Sequence, residues 1–542
     1  MKVPLTAGRS LGEALTLSLA QPWSLHRIGV RASLLRVAPL LGVLSVGLFL
    51  RLYAMGTFVT IYPDTYGQLQ SVTNLLSGDL PLSYLYPPGI ALFLAPFFAL
   101  LPDTLETMHI AILFAGMALI VVAYVGCTAT TGDRRAAFFF ATAVAVGVTF
   151  VFHSRIGMFD VIHTLLVALS LFLAPLVIRR GFPVLVLYGL VVFAAATARY
   201  TNVILLPALM LASLEIGAQP LSWRYVCARL FSKGPITVGL VVSTLYAVYV
   251  VTAFDSLTRF ADPQGSSVID ASGEGYSTRI GQYMQASLLG YGGDFGWMEA
   301  LAATGVLALA IVGALRLWSD RRGLLIPILY LAAAWLAIHA FYFAFWARYV
   351  MPVFFFVLLL AALGLSVCFH WFKQLHYPWQ RVGLATIVAI IVAMFLSLQL
   401  AQDVTSVRET PTSGAARSEP AFEDIRNVLR TLNGDRTTLI SSQSLAVERA
   451  NPAMTVYDLI QHSGRNGINE RSIVKLRTYV DEQIAAGKTV YYHYTGYEAT
   501  GSQLHKYELG FDSYFQALSQ RFTMREVIHP ADSGQRLYRL EP

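Results

Sequence analysis

The chain has 542 residues and a mass of 59.5 kDa, with 56% hydrophobic and 13% charged residues, a mean hydropathy of +0.57 and a formal net charge of +7. Soluble domains carry about 25% charged residues, so a wholly soluble enzyme is excluded. Three cysteines are too few for a disulfide scaffold, and 12% aromatic residues argue against disorder.

Charge is segregated along the chain. Residues 402–542 hold 16 Lys and Arg against 17 Asp and Glu, the density of an ordinary water-soluble domain; residues 1–401 hold 23 and 15 in a stretch almost three times as long. The basic excess belongs to the apolar part, so we do not read it as a nucleic-acid footprint.

In chain order, residues 1–33 are basic and weakly amphipathic, with Pro22 and Trp23, and read as a surface-lying anchor. A bilayer core takes about 20 apolar residues per helix. Eleven stretches qualify: 34–54, 107–130, 135–152, 158–178, 182–198, 200–216, 235–254, 297–318, 324–345, 348–371 and 381–401. Residues 88–101 are too few to span and read as interfacial or re-entrant. Outer loops cover 55–106 and 255–296; the second is glycine-rich and either folds over a substrate or is a solvated connector. A cytoplasmic N-terminus puts 17 of the 23 basic residues on inner segments and 11 of the 15 acids outside. Residues 402–542 are then extracytoplasmic, in a multi-pass protein of the plasma (inner) membrane. Cys127, Cys227 and Cys368 all fall at inner helix ends.

Residues 402–419 read as a linker, with Pro411, Ser413 and Gly414. Beyond it, helices are predicted at 420–432 and 470–486, and strands at 437–441, 455–458, 489–494, 523–528 and 535–540. Tyr491, Tyr492, His493 and Tyr494 fit a buried strand better than a sugar-stacking surface. The expected fold class is a polytopic α-helical membrane bundle of about eleven spans with a C-terminal outer α/β domain.

Ionisable groups at a membrane rim are costly and therefore functional candidates. Asp64 lies in Tyr62-Pro63-Asp64-Thr65-Tyr66. Asp160 follows His153-Ser154-Arg155, and Arg199-Tyr200 and Arg348-Tyr349 stand at outer helix ends. Carboxylates serve as base or hydroxyl acceptor, and the planar fork of arginine suits phosphate. Plainer roles compete: Asp64 as a helix N-cap, Asp160 as partner of Arg155, Arg199 as a snorkelling cation. His153 and His163 fit structural hydrogen bonding better than zinc, since no second His or Cys stands at ligand spacing. Pro87-Pro88 stops one helix and starts another. No Walker loop, dinucleotide turn or serine elbow occurs.

Gly78-Asp79-Leu80-Pro81 running on to Tyr86-Pro87-Pro88-Gly89, the Asp in the preceding outer loop, and Ser154-Arg155-Ile156-Gly157-Met158-Phe159-Asp160 together resemble the GT-C class of membrane glycosyltransferases. The nearest likeness is to the protein O-mannosyltransferase and aminoarabinose lipid A transferase group. Ala198-Arg199-Tyr200-Thr201 before Pro207, and Arg348-Tyr349 before Pro352, fit the same habit.

The resemblance implies transfer, with inversion, of a sugar from a polyprenyl-phosphate donor to an acceptor glycan, lipid or protein on the outer face, among membrane lipids and without nucleic acid. It implies Asp64 as general base and Asp160 as the second-loop acid. Arg155, Arg199 and Arg348, with Tyr349, would hold the donor phosphate. Tyr62, Tyr66, Tyr86, His153, Tyr200, Glu274 and Tyr276 would line the substrate. Thr65 follows Asp64, so the paired acids of a metal motif are missing: a divalent metal is compatible but not indicated, and no other cofactor is implied. Residues 402–542 lack a W-W-D motif, which disfavours transfer of whole glycans to asparagine. A lipid or sugar transporter or flippase is the alternative, against which stand the missing internal repeats and the gathering of charge at one rim.

Overall fold

The structure is a computed structural model that describes residues 30–53, 63–78, 87–102, 105–155, 158–178, 180–214, 222–252, 276–291, 296–340, 347–375, 377–412, 424–441, 450–451, 453–459, 470–494, 514–530 and 535–542. Most of the predicted anchor 1–33 and much of both outer loops lie outside these residues. Helices α1 to α8 are Val30–Leu52, Pro63–Ser77, Gly89–Leu100, Leu105–Thr131, Arg134–Val146, Val148–Arg155, Asp160–Val177 and Phe182–Ala196. Helices α9 to α16 are Leu205–Ser213, Trp223–Leu230, Lys233–Thr252, Tyr276–Leu289, Trp297–Asp320, Arg322–Ala340, Met351–Gln374 and Pro378–Thr412. Two 3-10 turns, Tyr200–Ile204 and Ala347–Val350, precede α9 and α15.

Each of the eleven predicted spans coincides with one helix or with two helices in succession. Among the described residues, seven helices are long and apolar enough to cross a bilayer, and the pair α5 and α6, bent by 48°, makes an eighth. The rest of the set, Ala38–Leu52 within α1, α8, and the turn Tyr200–Ile204 with α9, are shorter apolar segments. The protein is an integral membrane protein. Helix α3 has 12 residues and is about 18 Å long at 1.5 Å per residue, too short for a hydrocarbon core of about 30 Å.

Helix α15 runs through the middle of the bundle, buried at almost every position from Met351 to Ser366. It crosses α13 backbone to backbone. A Cβ on Gly313 would collide with the Leu360 carbonyl, and one on Gly364 with the Leu309 carbonyl, so small residues set the approach. At one end of these helices Asp133 caps α5, accepting from the backbone nitrogens of Arg135 and Ala136 at 3.0 Å each. Its other oxygen accepts from Arg316 Nη1 at 2.7 Å and Ser366 Oγ at 2.6 Å. One carboxylate thereby joins α5, α13 and α15.

The bend between α5 and α6 falls at Gly147, and a break frees backbone groups that need new partners. The Val148 amide donates to Gln399 Oε1 at 2.8 Å, and Gln399 Nε2 donates to the Leu289 carbonyl at 2.9 Å. A single buried amide on α16 satisfies the break and fastens the end of α12.

The C-terminal region forms a five-stranded sheet in the order β2-β1-β3-β5-β4, with β1 Thr437–Ser441, β2 Thr455–Asp458, β3 Thr489–Tyr494, β4 Thr523–Ile528 and β5 Arg536–Glu541. Strands β2, β1 and β3 are parallel, and β5 is antiparallel to β3 and β4. Alternation sends Ile440, Tyr492 and Tyr538 to one face, under Leu476, Val480 and Leu518, and Leu439, Tyr491 and Leu537 to the other, under Ile425 and Leu429. Both faces are covered, as parallel strands require. The tyrosine run is thus a buried strand at Tyr491 and Tyr492.

His493 is buried across this sheet, with Nδ1 3.0 Å from Ser441 Oγ and Nε2 3.1 Å from Gln535 Oε1. Burial, opposed by the Gln535 hydrogen bond, pushes its pKa down from the ordinary 6.5 to about 4. The unfolded chain therefore binds a proton at a pH where the folded sheet refuses it. The contribution of the neutral imidazole is complete above pH 6.5 and is lost as the pH falls from there to about 4, a swing of about 3 kcal/mol. Protection factors of the β3 amides against hydrogen–deuterium exchange in the intact protein, taken relative to the intrinsic rate at each pH, should fall across that window, and a His493→Gln variant should show a flatter dependence.

Candidate active site

Asp160 opens α7 and is 1% exposed. A bare carboxylate there would be strongly destabilising. Its Oδ1 accepts a charge-assisted hydrogen bond from Arg199 Nη2. Its Oδ2 is buried with no hydrogen-bond partner among the described residues. The partner is thus Arg199, and Arg155 has a different task. It ends α6, and its Nη1 donates to the carbonyls of Leu50 (3.0 Å), Arg51 (3.2 Å) and Tyr53 (2.8 Å). Those are the unsatisfied acceptors at the negative end of α1, where a cation is favoured.

Arg199 reaches Asp160 because α8 stops at Ala196 and Thr197. Arg199 itself is extended, at φ −148° and ψ 151°, before the turn Tyr200–Ile204. Its guanidinium carbon lies 4.5 Å from the centroid of the Tyr349 ring, and that of Arg348 lies 5.4 Å from the same ring. Two cations share one aromatic platform, each attracted to the ring's quadrupole. Arg348 is buried, with Nη1 3.8 Å from Met158 Sδ, two residues before Asp160. His153 is buried within electrostatic reach of both guanidiniums.

A column of rings supports the platform. Trp335 Nε1 donates to the Tyr349 carbonyl at 2.7 Å. Trp335 stacks on His339 with centroids 5.5 Å apart and lies 5.2 Å from His163, while His339 lies 5.3 Å from Tyr349. Asn202 Nδ2 donates to the Ala195 carbonyl at 2.6 Å, so its Oδ1 accepts from His163 Nε2 at 3.0 Å. His163 is a structural hydrogen-bonder in this column. Trp335, His339 and Asn202 were not singled out in the sequence; the available signal was an i, i+4 Trp/His pair on an otherwise apolar span.

A second charged group lies around Arg51, which is fully buried. Its Nη1 donates to the carbonyls of Gly47 (2.9 Å) and Ala145 (3.0 Å), and its Nε to Ser154 Oγ at 3.3 Å. A Cβ on Gly116 would collide with Ser154 Oγ, so glycine makes the room. Asp403 on α16 is buried in the field of Arg51 and Arg155. Neither Arg51 nor Asp403 stood out in the sequence, since each sits at a predicted span edge among other charges.

The structure therefore gathers Asp160, Arg199, Arg348, Tyr349 and His153, and sets Arg155 on the end of α1. Tyr200 lies within electrostatic reach of Tyr249 on α11. Tyr276 begins α12, on which Arg279 Nε donates to the Ala340 carbonyl at 2.8 Å. Asp64 and Tyr66 lie in the first turn of α2. Tyr62, Tyr86 and Glu274 lie outside the described residues. Among the described residues no group of three or more His, Cys, Asp or Glu could hold a metal ion. Among the described residues the site sets two guanidiniums beside one carboxylate, groups suited to an anionic ligand.

No protein-family model and no curated protein sequence matches the chain. Solved structures do. ArnT from Cupriavidus metallidurans in the apo state is similar with a TM-score of 0.60 at 14% identity, covering 94% of this chain and 98% of ArnT; the same protein bound to undecaprenyl phosphate has a TM-score of 0.58 at the same identity and coverage. The Archaeoglobus fulgidus oligosaccharyltransferase, tethered with an acceptor peptide, has a TM-score of 0.56 at 13% identity, covering 93% of this chain and 74% of that one. The mycobacterial arabinofuranosyltransferase AftD has a TM-score of 0.51 at 15% identity, covering 93% of this chain and 42% of the longer AftD. The chain has the fold of the GT-C glycosyltransferases, the class that its short motifs resemble.

Removing one member of a buried ion pair strands the other, at a cost of about 3 kcal/mol. Arg199→Leu should lower the melting temperature of the purified protein, and Asp160→Asn/Arg199→Leu should recover most of that loss. A double variant no more stable than the single one would show that the pair carries little of the local stability.

Proposed function

We propose that this protein is an inverting glycosyltransferase that moves a sugar from a polyprenyl-phosphate donor to an acceptor hydroxyl on the outer face of the plasma membrane, with its N-terminus cytoplasmic and its C-terminal domain outside. The observation that carries this reading is the pair of guanidiniums on the Tyr349 ring beside one buried carboxylate. It occurs in a fold shared with ArnT, solved with undecaprenyl phosphate.

In the reaction, the acceptor oxygen forms a bond to the anomeric carbon while the bond from that carbon to the phosphate oxygen breaks. Negative charge then develops on the departing polyprenyl phosphate. Arg199 and Arg348 are already ordered by Asp160, Tyr349 and Met158, so stabilising that charge costs little reorganisation. The unpartnered Oδ2 of Asp160 is a ready acceptor for a sugar hydroxyl. The hydroxyl proton passes to the carboxylate of Asp64, the base that the family resemblance implies. Helix α2, which begins at Pro63 and Asp64, packs on α3, and α3 packs on α8, the helix that leads into Arg199. The base-bearing helix and the phosphate-binding turn are thereby built on shared contacts.

Transfer assays with radiolabelled polyprenyl-phosphate sugars test this directly. Asp64→Asn should abolish transfer while the protein still folds and binds undecaprenyl phosphate. Arg348→Ala should weaken binding of the lipid phosphate about tenfold or more, the scale of a charge-assisted hydrogen bond. Full activity of Asp64→Asn would overturn the base assignment. A wild-type protein that neither binds a polyprenyl phosphate nor transfers any sugar from one would overturn the reading as a whole.

A further inference from the structure

Pro87-Pro88-Gly89 finds its physical meaning where α3 meets the break that carries Arg199. The first amides of a helix and its last carbonyls have no partners within the helix. Pro87 and Pro88 have no amide hydrogen, so Gly89 supplies the first donor of α3. That amide donates to the Thr197 carbonyl at 3.0 Å, one of the acceptors released where α8 ends. The approach is so close that a Cβ on Gly89 would collide with the Ala194 carbonyl and come within 2.5 Å of the Ala198 nitrogen. Both are backbone atoms and cannot rotate aside. The Ala195 carbonyl on the same last turn takes the Asn202 side-chain amide at 2.6 Å. Two residues downstream of Thr197, extended backbone delivers Arg199 to Asp160 and the Tyr349 ring.

We propose that Gly89 is a positioning residue for Arg199: its amide and its missing side chain hold the Thr197–Arg199 break in the form that presents the guanidinium to the site. The functional consequence rests on the glycosyltransferase reading, through the role of Arg199 toward the donor phosphate.

The test uses the full chain in nanodiscs, titrated with undecaprenyl phosphate. Gly89→Ala should weaken binding about tenfold or more. Arg199→Ala should weaken it comparably, and Gly89→Ala/Arg199→Ala should bind no more weakly than Arg199→Ala alone, the coupling expected of residues acting through one contact. Gly234→Ala is the control for a purely structural effect. Its Cβ would likewise collide with a backbone carbonyl, that of Ile178, where α7 meets the start of α11. It should lower the melting temperature and leave binding unchanged. Additive losses in the double variant, or an equal loss in Gly234→Ala, would overturn the proposal. If Gly89→Ala does not fold, Asn202→Ala, which removes the second donor to the break without adding a clash, enters the same cycle with the same expectations. If the wild-type protein binds no undecaprenyl phosphate, the glycosyltransferase reading fails. The positioning claim is then decided by the structure of ligand-free Gly89→Ala: Arg199 displaced from Asp160 supports it, and Arg199 still seated on Asp160 overturns it.

Discussion

A carboxylate held out of water at the start of a membrane helix needs a cation, and that need organises this site. The charge of Asp160 is met by Arg199, which comes from the non-helical segment between α8 and the turn Tyr200–Ile204. The pair can form only if α8 is interrupted before Arg199 and if something other than water serves the carbonyls that the interruption releases. The same economy of charge places Arg348 against the Tyr349 ring and Met158. What results, among the described residues, is a pair of guanidiniums held by one carboxylate and one ring.

The bundle meets this need by breaking helices and then giving the freed backbone groups specific partners. The freed amide of Val148 goes to Gln399. The freed carbonyls at the end of α8 go to the Gly89 amide and the Asn202 side chain, and those at the end of α1 go to Arg155. Unpaired backbone groups are not tolerated away from water in lipid, so irregular backbone survives only where the protein supplies partners. Irregular turns therefore mark the positions where polar side chains are presented. Arg51, Arg155 and Asp403 extend this logic to the base of the helix that continues toward the C-terminal sheet.

Much of this was legible from sequence because it follows from two periods and one length. Apolar runs marked the helices of the bundle, and the shortness of 88–101 matches a helix of 12 residues. Runs rich in Thr, Val, Ile and Tyr at Thr437–Ser441 and Thr489–Tyr494 marked strands that prove to be buried on both faces. Charge density separated the apolar bundle from the sheet. Asp160, Arg199 and Arg348 stood out because ionisable residues at a membrane edge are rare enough to signal function without any knowledge of their neighbours.

Sequence by itself marked the apolar helices and the strands, since hydrophobic period and length are local properties of the chain, but it left Trp223–Leu230 and Tyr276–Leu289, which are helices, in loops. It also supplied the residue types able to bind an anion. Only the tertiary structure decided who pairs with whom: that Asp160 takes Arg199 while the sequence-near Arg155 turns to the end of α1, that Trp335 and His339 lie beneath the Tyr349 platform, and that Gly89 seats against Thr197. Partner choice depends on which orphaned backbone groups and which buried charges meet in space. The pairing of Asp160 with Arg199 spans 39 positions and that of Val148 with Gln399 spans 251, separations over which no local pattern carries information.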